Sequence, residues 1–335
     1  MTTRLFRIFG LVLAGASVLA AQQGSLSGPV AGFIYDSPGR ALRPIQGVPG
    51  ASLIGDPLNL GLDLTAAYVS PRQDSAFVVS ADGVLHFFRL ASTGPVETSL
   101  GGVSFIPQRV VFSPSGHAAA LFTLGKVQVF QGLPGAPALA GAITLPSTGG
   151  RQPSPAPAGR SRQRTPTAAD FAISDDGVYL LTVSGGSVRL LSVNGENRSL
   201  VPAGADAGAL VAFAPGGHDA AVFDPAAGLL LIRDASGAAS PQTIAQPDDS
   251  LASAAGIGFS QDGAKLYVAS AAAHGVVIFD LSASSRSTIA CDCTPATLAP
   301  MGSLFRLNEF GSGPLWLLDA GATSPRIVFV PAHTN

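Results

Sequence analysis

The chain holds only two cysteines, and they lie one residue apart in Cys291-Asp292-Cys293. In an oxidising compartment such a pair usually forms a disulfide, although a single intervening residue closes a small, strained ring. The residues leave three readings open: a local structural bridge, free or intermolecular thiols, or redox or metal chemistry. A metal would want further ligands, and no histidine lies near in sequence. The other candidates are Asp206, Asp248 and Asp249, which sit in polar stretches between apolar runs, together with Asp292 and His274. Carboxylates hold a hard cation such as calcium only where several oxygens converge, and acidic loops are otherwise simply solvated. His274 lies in a loop between two apolar runs and is the histidine best placed to meet a ligand, because an imidazole titrates near neutral pH. These residues make a candidate binding face. None is assigned a catalytic role, and no metal or cofactor is expected.

The remaining chemistry-bearing residues read as structural. His117 and His218 each follow a turn glycine at equivalent positions, which marks exposed hairpin residues. Trp316 falls within the apolar run Leu315 to Leu318 and reads as core rather than as a stacking platform. The chain contains no G-x-S-x-G elbow, HExxH helix or P-loop.

The elements that must carry these residues are short strands. In Gly256 to Leu281, apolar residues alternate up to Phe259, Gln261-Asp262-Gly263 supplies a reversal, and two further apolar runs follow at Leu266 to Ser270 and Val276 to Leu281. Runs of about five residues, rich in branched and aromatic side chains and parted by turn residues, are strands. The same unit recurs along the chain. Its turn position falls at Gln73, Gly116, Gly177, Gly217, Gly263 and Gly302, in steps of 43, 61, 40, 46 and 39 residues. The long step contains a Gly-, Pro- and Ser-rich insertion at 147–167 with Arg151, Arg160, Arg162 and Arg164, whose composition predicts a disordered loop. Four arginines on such a tether could also recruit an anionic partner weakly.

A period of about forty residues with three or four strands per period is the signature of a β-propeller blade. Each small sheet has two apolar faces and can bury them only against neighbouring sheets. With the weaker copy from Leu298 supplying the Gly302 turn, one irregular unit before Gln73 brings the count to seven antiparallel blades around a central channel, with six as the other reading. The strand pair Phe33 to Ile45 is the piece expected to complete the last blade. Paired immunoglobulin-like sandwiches would repeat about every hundred residues instead.

Composition agrees with an all-β chain: 335 residues are 47% apolar and 12% charged, with 40 Gly and 26 Pro. A net charge of −2 provides no basic face for nucleic acid. Arg4 and Arg7 precede an apolar run ending in small residues at Ala20-Ala21, the pattern of a cleaved secretory signal over 1–21. The expectation is therefore a single propeller domain over 22–335, exported to the periplasm or beyond the cell, monomeric, with no membrane span after cleavage.

The unit resembles the repeat of bacterial seven-bladed propellers known as YVTN or lactonase-like. The residues that carry the likeness are Phe112-Ser113-Pro114-Ser115-Gly116, Ile173-Ser174-Asp175-Asp176-Gly177 and Phe259-Ser260-Gln261-Asp262-Gly263, each leading into a strand such as Leu266-Tyr267-Val268-Ala269. Val277-Ile278-Phe279-Asp280 is similar to the family's third strand. The Trp-Asp dipeptide of WD40 blades is missing. The resemblance implies a ring that serves either as a non-enzymatic binding or structural platform for a protein or small-molecule ligand, or as a hydrolase or isomerase of a small sugar-derived ester in the central channel.

Overall fold

The computed structural model describes residues 28–91, 94–145, 171–184, 186–202 and 208–332. The signal-like segment, the 147–167 insertion, Asp206 and His333 lie outside the described residues. Within them the chain is all-β, arranged as seven consecutive sheets about a common axis.

The first sheet is β1 (Val30–Asp36), β2 (Ala41–Val48) and β3 (Ala51–Ile54). The second is β4 (Leu64–Val69), β5 (Ser75–Ser80), β6 (Leu85–Ala91) and β7 (Gly94–Thr98). The third is β8 (Arg109–Phe112), β9 (Ala119–Thr123), β10 (Lys126–Gln131) and β11 (Ala138–Thr144). The fourth is β12 (Phe171–Ile173), β13 (Tyr179–Ser184), β14 (Ser187–Ser192) and β15 (Asn197–Pro202). The fifth is β16 (Leu210–Phe213), β17 (Ala220–Asp224), β18 (Gly228–Ile232) and β19 (Gln242–Ala245). The sixth is β20 (Ala254–Phe259), β21 (Lys265–Ser270), β22 (Gly275–Asp280) and β23 (Ser285–Ala290). The seventh is β24 (Ala299–Met301), β25 (Leu304–Arg306), β26 (Leu315–Asp319) and β27 (Arg326–Val330). Every sheet is an antiparallel meander in chain order.

The middle strands show why the blades must stack. All five residues of β17 and of β18 are buried, so neither face of that sheet meets water at its middle strands. Apolar clusters fill all seven seams. Phe77, Phe87, Leu121 and Phe130 close the second against the third, and Leu231, Phe259, Leu266 and Val277 the fifth against the sixth. Ile34 and Ile45 of the first blade meet Leu315, Leu317 and Val330 of the seventh, so the stack returns on itself. Burying one such side chain is worth about 1.5–3 kcal/mol, and a ring leaves no terminal sheet uncovered.

The turn between the first two strands is built alike in most blades. Ser70, Ser113 and Ser174 are buried there, each exchanging backbone hydrogen bonds across the turn: Ser113 N–H to Ala118 O and Gly116 N–H to Ser113 O, both at 2.9 Å. The closing residue is left-handed at Gln73, Gly116, Gly177 and Gly263, with φ between 63° and 72°. In the fifth blade the left-handed residue is Gly216 (φ 76°), one residue before the Gly217 that spacing selects.

Ring closure differs from the expectation. β1 and β2 do not complete the last blade, which is built wholly from β24 to β27; they form their own sheet with β3. Gly32 and Phe33, early in β1, meet Gln73, just past the end of β4, whereas Arg40, beyond the end of β1, meets Asp63 and Leu64 at the start of β4. β1 therefore runs opposite to β4, in the direction of a second strand, and among the described residues the first blade has no innermost strand. Side chains fill that position. Gln73 Oε1 accepts the Phe33 N–H at 2.6 Å while its Nε2 donates to Ser70 O at 2.9 Å. Met301 packs so closely on Gly32 that a Cβ there would lie 2.7 Å from its Cγ and Sδ. Gly302 of the seventh blade donates its N–H to Pro71 O of the second at 2.6 Å, bypassing the first.

Candidate functional site

Loops on the Asp248 side of the ring bring most of the sequence-selected residues into one region of the fifth to seventh blades. Asp248 and Asp249 lie in the connection from β19 to β20, His274 in the turn between β21 and β22, and Cys291 to Cys293 in the connection from β23 to β24. Backbone hydrogen bonds tie the three together: Ala271 N–H donates to Ser253 O at 3.0 Å, and Cys291 N–H to His274 O at 2.8 Å. His274 takes a left-handed conformation (φ 43°) to make this turn, which strains any residue other than glycine. Asp248, Asp249, His274 and Asp292 are exposed.

Asp248 is not a free carboxylate. Arg286, at the start of β23, donates to its Oδ2 at 2.5 Å and also contacts Ser250 Oγ, and its guanidinium stands 5.3 Å from the centre of the Phe279 ring. The hydrogen bond from Arg286 lowers the Asp248 pKa to about 2, with help from the Ser250 hydroxyl and the Leu251 N–H. This ion pair edges an open groove of about 530 Å³ between the outer strands of the fifth and sixth blades, lined also by Leu231, Arg233, Gln242 and Phe279. A second ion pair, Arg233 with Asp219 at 2.5 Å, stands beside it.

Cys291 and Cys293 are joined by a disulfide with their Cα atoms 5.1 Å apart. Cys293 packs on the cluster of Leu298, Phe305 and Trp316, while Asp292 between them faces solvent. Chain-entropy reasoning gives a cross-link across so short a loop only about 1.6 kcal/mol of stabilisation. Trp316 is half-buried and stacks on Phe329, with ring centres 5.4 Å apart.

A second polar neighbourhood, not selected from the sequence, gathers at the first turns of the blades. Asp175 Oδ1 accepts the Ser115 N–H of the third blade and Oδ2 the Gly216 N–H of the fifth, both at 2.7 Å. His218 reaches Asp176 at 2.8 Å and Asp234 at 3.7 Å, and meets the Tyr179 ring edge-on. Burial pushes the Asp176 carboxyl up, but hydrogen bonds from Ser174, the Val178 N–H and His218 outweigh it and hold the carboxyl below its usual range. His117 is exposed, as its hairpin position predicts, and contacts Arg72 at 2.7 Å. His218, at the matching position, is half-buried between blades. The sequence signal for this neighbourhood was the repeated Asp at the turn, which reads as turn chemistry alone. Further round, the Arg109 guanidinium lies 4.9 Å from the centre of the Phe171 ring and 5.8 Å from that of Phe122. Burial raises the Tyr68 hydroxyl pKa, while Arg109 opposes the shift.

Among the described residues no group of three or more His, Cys, Asp or Glu is placed to hold a metal, and no helix is long and apolar enough to cross a membrane.

No protein-family model and no curated protein matches the chain. Solved structures do. A "putative 6-phosphogluconolactonase" from Bacteroides uniformis superposes with a TM-score of 0.57 at 17% identity, covering 90% of this chain and 96% of its own. A protein from Lactobacillus plantarum gives 0.56 at 15% identity, covering 90% and 96%. A functionally unknown protein from Desulfotomaculum acetoxidans gives 0.55 at 15% identity, covering 90% and 100%. At such identities the likeness speaks for architecture alone, and with the seven stacked sheets it identifies the chain as a seven-bladed β-propeller.

Proposed function

We propose that this protein is an exported, non-enzymatic propeller that serves as a binding platform at or beyond the bacterial envelope. The observation that carries the reading is the state of the charged groups along the groove between the fifth and sixth blades. Asp248 is held by Arg286, and Arg233 by Asp219, on an open surface. Catalytic groups have a pKa matched to proton transfer or nucleophilic attack near neutral pH. A carboxylate held at about 2 by a guanidinium stays ionised and paired at neutral pH, which suits an ionic contact to a partner better than proton transfer. Paired charges beside the exposed residues of β19 offer a partner hydrogen bonds and ionic contacts. The signal-like pattern over 1–21 supports export.

The competing reading, a lactone hydrolase or isomerase acting in the central channel, draws on the name of the Bacteroides uniformis neighbour. A panel of sugar-derived δ-lactones, followed by acid release at constant pH, separates the two. The expected result is no hydrolysis above the buffer rate while circular dichroism and a cooperative thermal transition show folded protein. Lactone turnover that disappears with the thermal transition would overturn the platform reading. Export has its own check: mature protein from the culture supernatant or periplasm should begin at Ala21 or Gln22.

A further inference from the structure

We propose that the Cys291–Cys293 disulfide is a thiol-exchange site, opening and reclosing on the surface of the folded ring. Three observations carry this. The bond spans only two positions of sequence, so it holds together no distant parts of the fold. The strands on either side keep their own hydrogen-bonded ladders, with Ala290 paired to Gly275 and Ala299 to Arg306, so neither blade depends on the bond for its register. The two cysteines are partly exposed and flank the exposed Asp292, so the bond lies in a surface loop.

The chemistry balances as ordinary exchange. A thiolate of a small molecule or peptide attacks one of the two sulfurs, the Sγ–Sγ bond breaks, and a mixed disulfide forms while the other cysteine leaves as a thiolate. A second thiolate then releases the attacking group as its own disulfide, and the protein is left with two thiols. In reverse, the two thiols reduce an external disulfide and the ring recloses. The substrate class is therefore a thiol–disulfide couple. The two cysteines stay two positions apart in one loop, so reclosure is intramolecular.

The test uses the full chain in native buffer. Glutathione redox mixtures of increasing reducing strength are applied, quenched with iodoacetamide, and read by intact mass, with near-ultraviolet circular dichroism and the thermal transition recorded in parallel. The expected result is uptake of two alkyl groups with tertiary signal retained. The single variants Cys291→Ser and Cys293→Ser, incubated with oxidised glutathione, should each capture one glutathionyl group in the folded state. Alkylation that requires denaturant, or that arrives only with loss of the tertiary signal, would overturn the proposal. So would folded single variants that capture no glutathione.

Discussion

The inner turn of the fourth blade and the inner edge of the first solve the same problem by opposite means. In the fourth blade, Asp175 reaches both ways and joins three successive blades through two backbone N–H groups. In the first, no inner strand stands among the described residues, and Gln73 lends its amide to the edge of β1 as a substitute rung. The fourth blade is thus stitched to both of its sequence neighbours by a residue of its own turn. The seam between the two ends of the chain is closed by residues that depart from the repeat: Gln73 where a glycine would be easier, and Met301 against Gly32.

Three substitutions sharpen that contrast, in descending order of effect. Asp175→Ala removes a charged acceptor from two N–H groups at once and should cost about 1.5–3 kcal/mol, seen as a lowered midpoint in urea unfolding. If the midpoint does not move, the stitch is not what joins these blades. Gln73→Ala keeps the left-handed strain and loses the substitute rung, an expected loss of about 1 kcal/mol with faster hydrogen exchange at the Phe33 amide. Gln73→Gly relieves about 1 kcal/mol of strain and should recover most of the stability but not the exchange protection. Equal protection in both variants would show that the side chain does not cap the edge.

The outermost tie, Asp248 to Arg286, comes last. Its carboxyl is depressed from 3.8 to about 2, so its contribution is fully present above the unfolded value and is lost as pH falls through about 2. Both side chains are more than a third exposed, and solvent screening limits the pair to less than about 1 kcal/mol. Arg286→Gln should return the Asp248 carboxyl toward its ordinary titration in a carbon-detected NMR experiment and leave the thermal midpoint at neutral pH nearly unchanged. An unmoved carboxyl would place the source of the depression elsewhere.

Much of the fold was legible because hydrophobic runs and turn residues recur on a fixed period. The inner three strands of the sixth blade were visible in this way, but β23 was not. Its Ser285, Arg286, Ser287 and Thr288 are exposed on the outer edge, so burial imposes no apolar pattern there. The place of β1 and β2 was equally hidden, since Phe33 to Ile45 is apolar whether it pairs with the last blade or stands in its own. The one clue was Gln73 at a position whose φ of 63° favours glycine. The loop residues Asp248, His274 and Cys291 were found from their place between runs, and their mutual contacts follow from the blade geometry. Partners such as Arg286 and the bridging role of Asp175 depend on which blades lie side by side, a three-dimensional fact that local spacing does not encode.

Among the described residues, the seventh sheet takes no strand from the N-terminal end. Each leaf of this rosette is cut from one unbroken length of polypeptide. An in-frame duplication or deletion of a single repeat would therefore change the circumference without unthreading anything shared. Only the handful of residues at the joint would need to be refitted, which makes this an architecture whose size recombination can alter in one step.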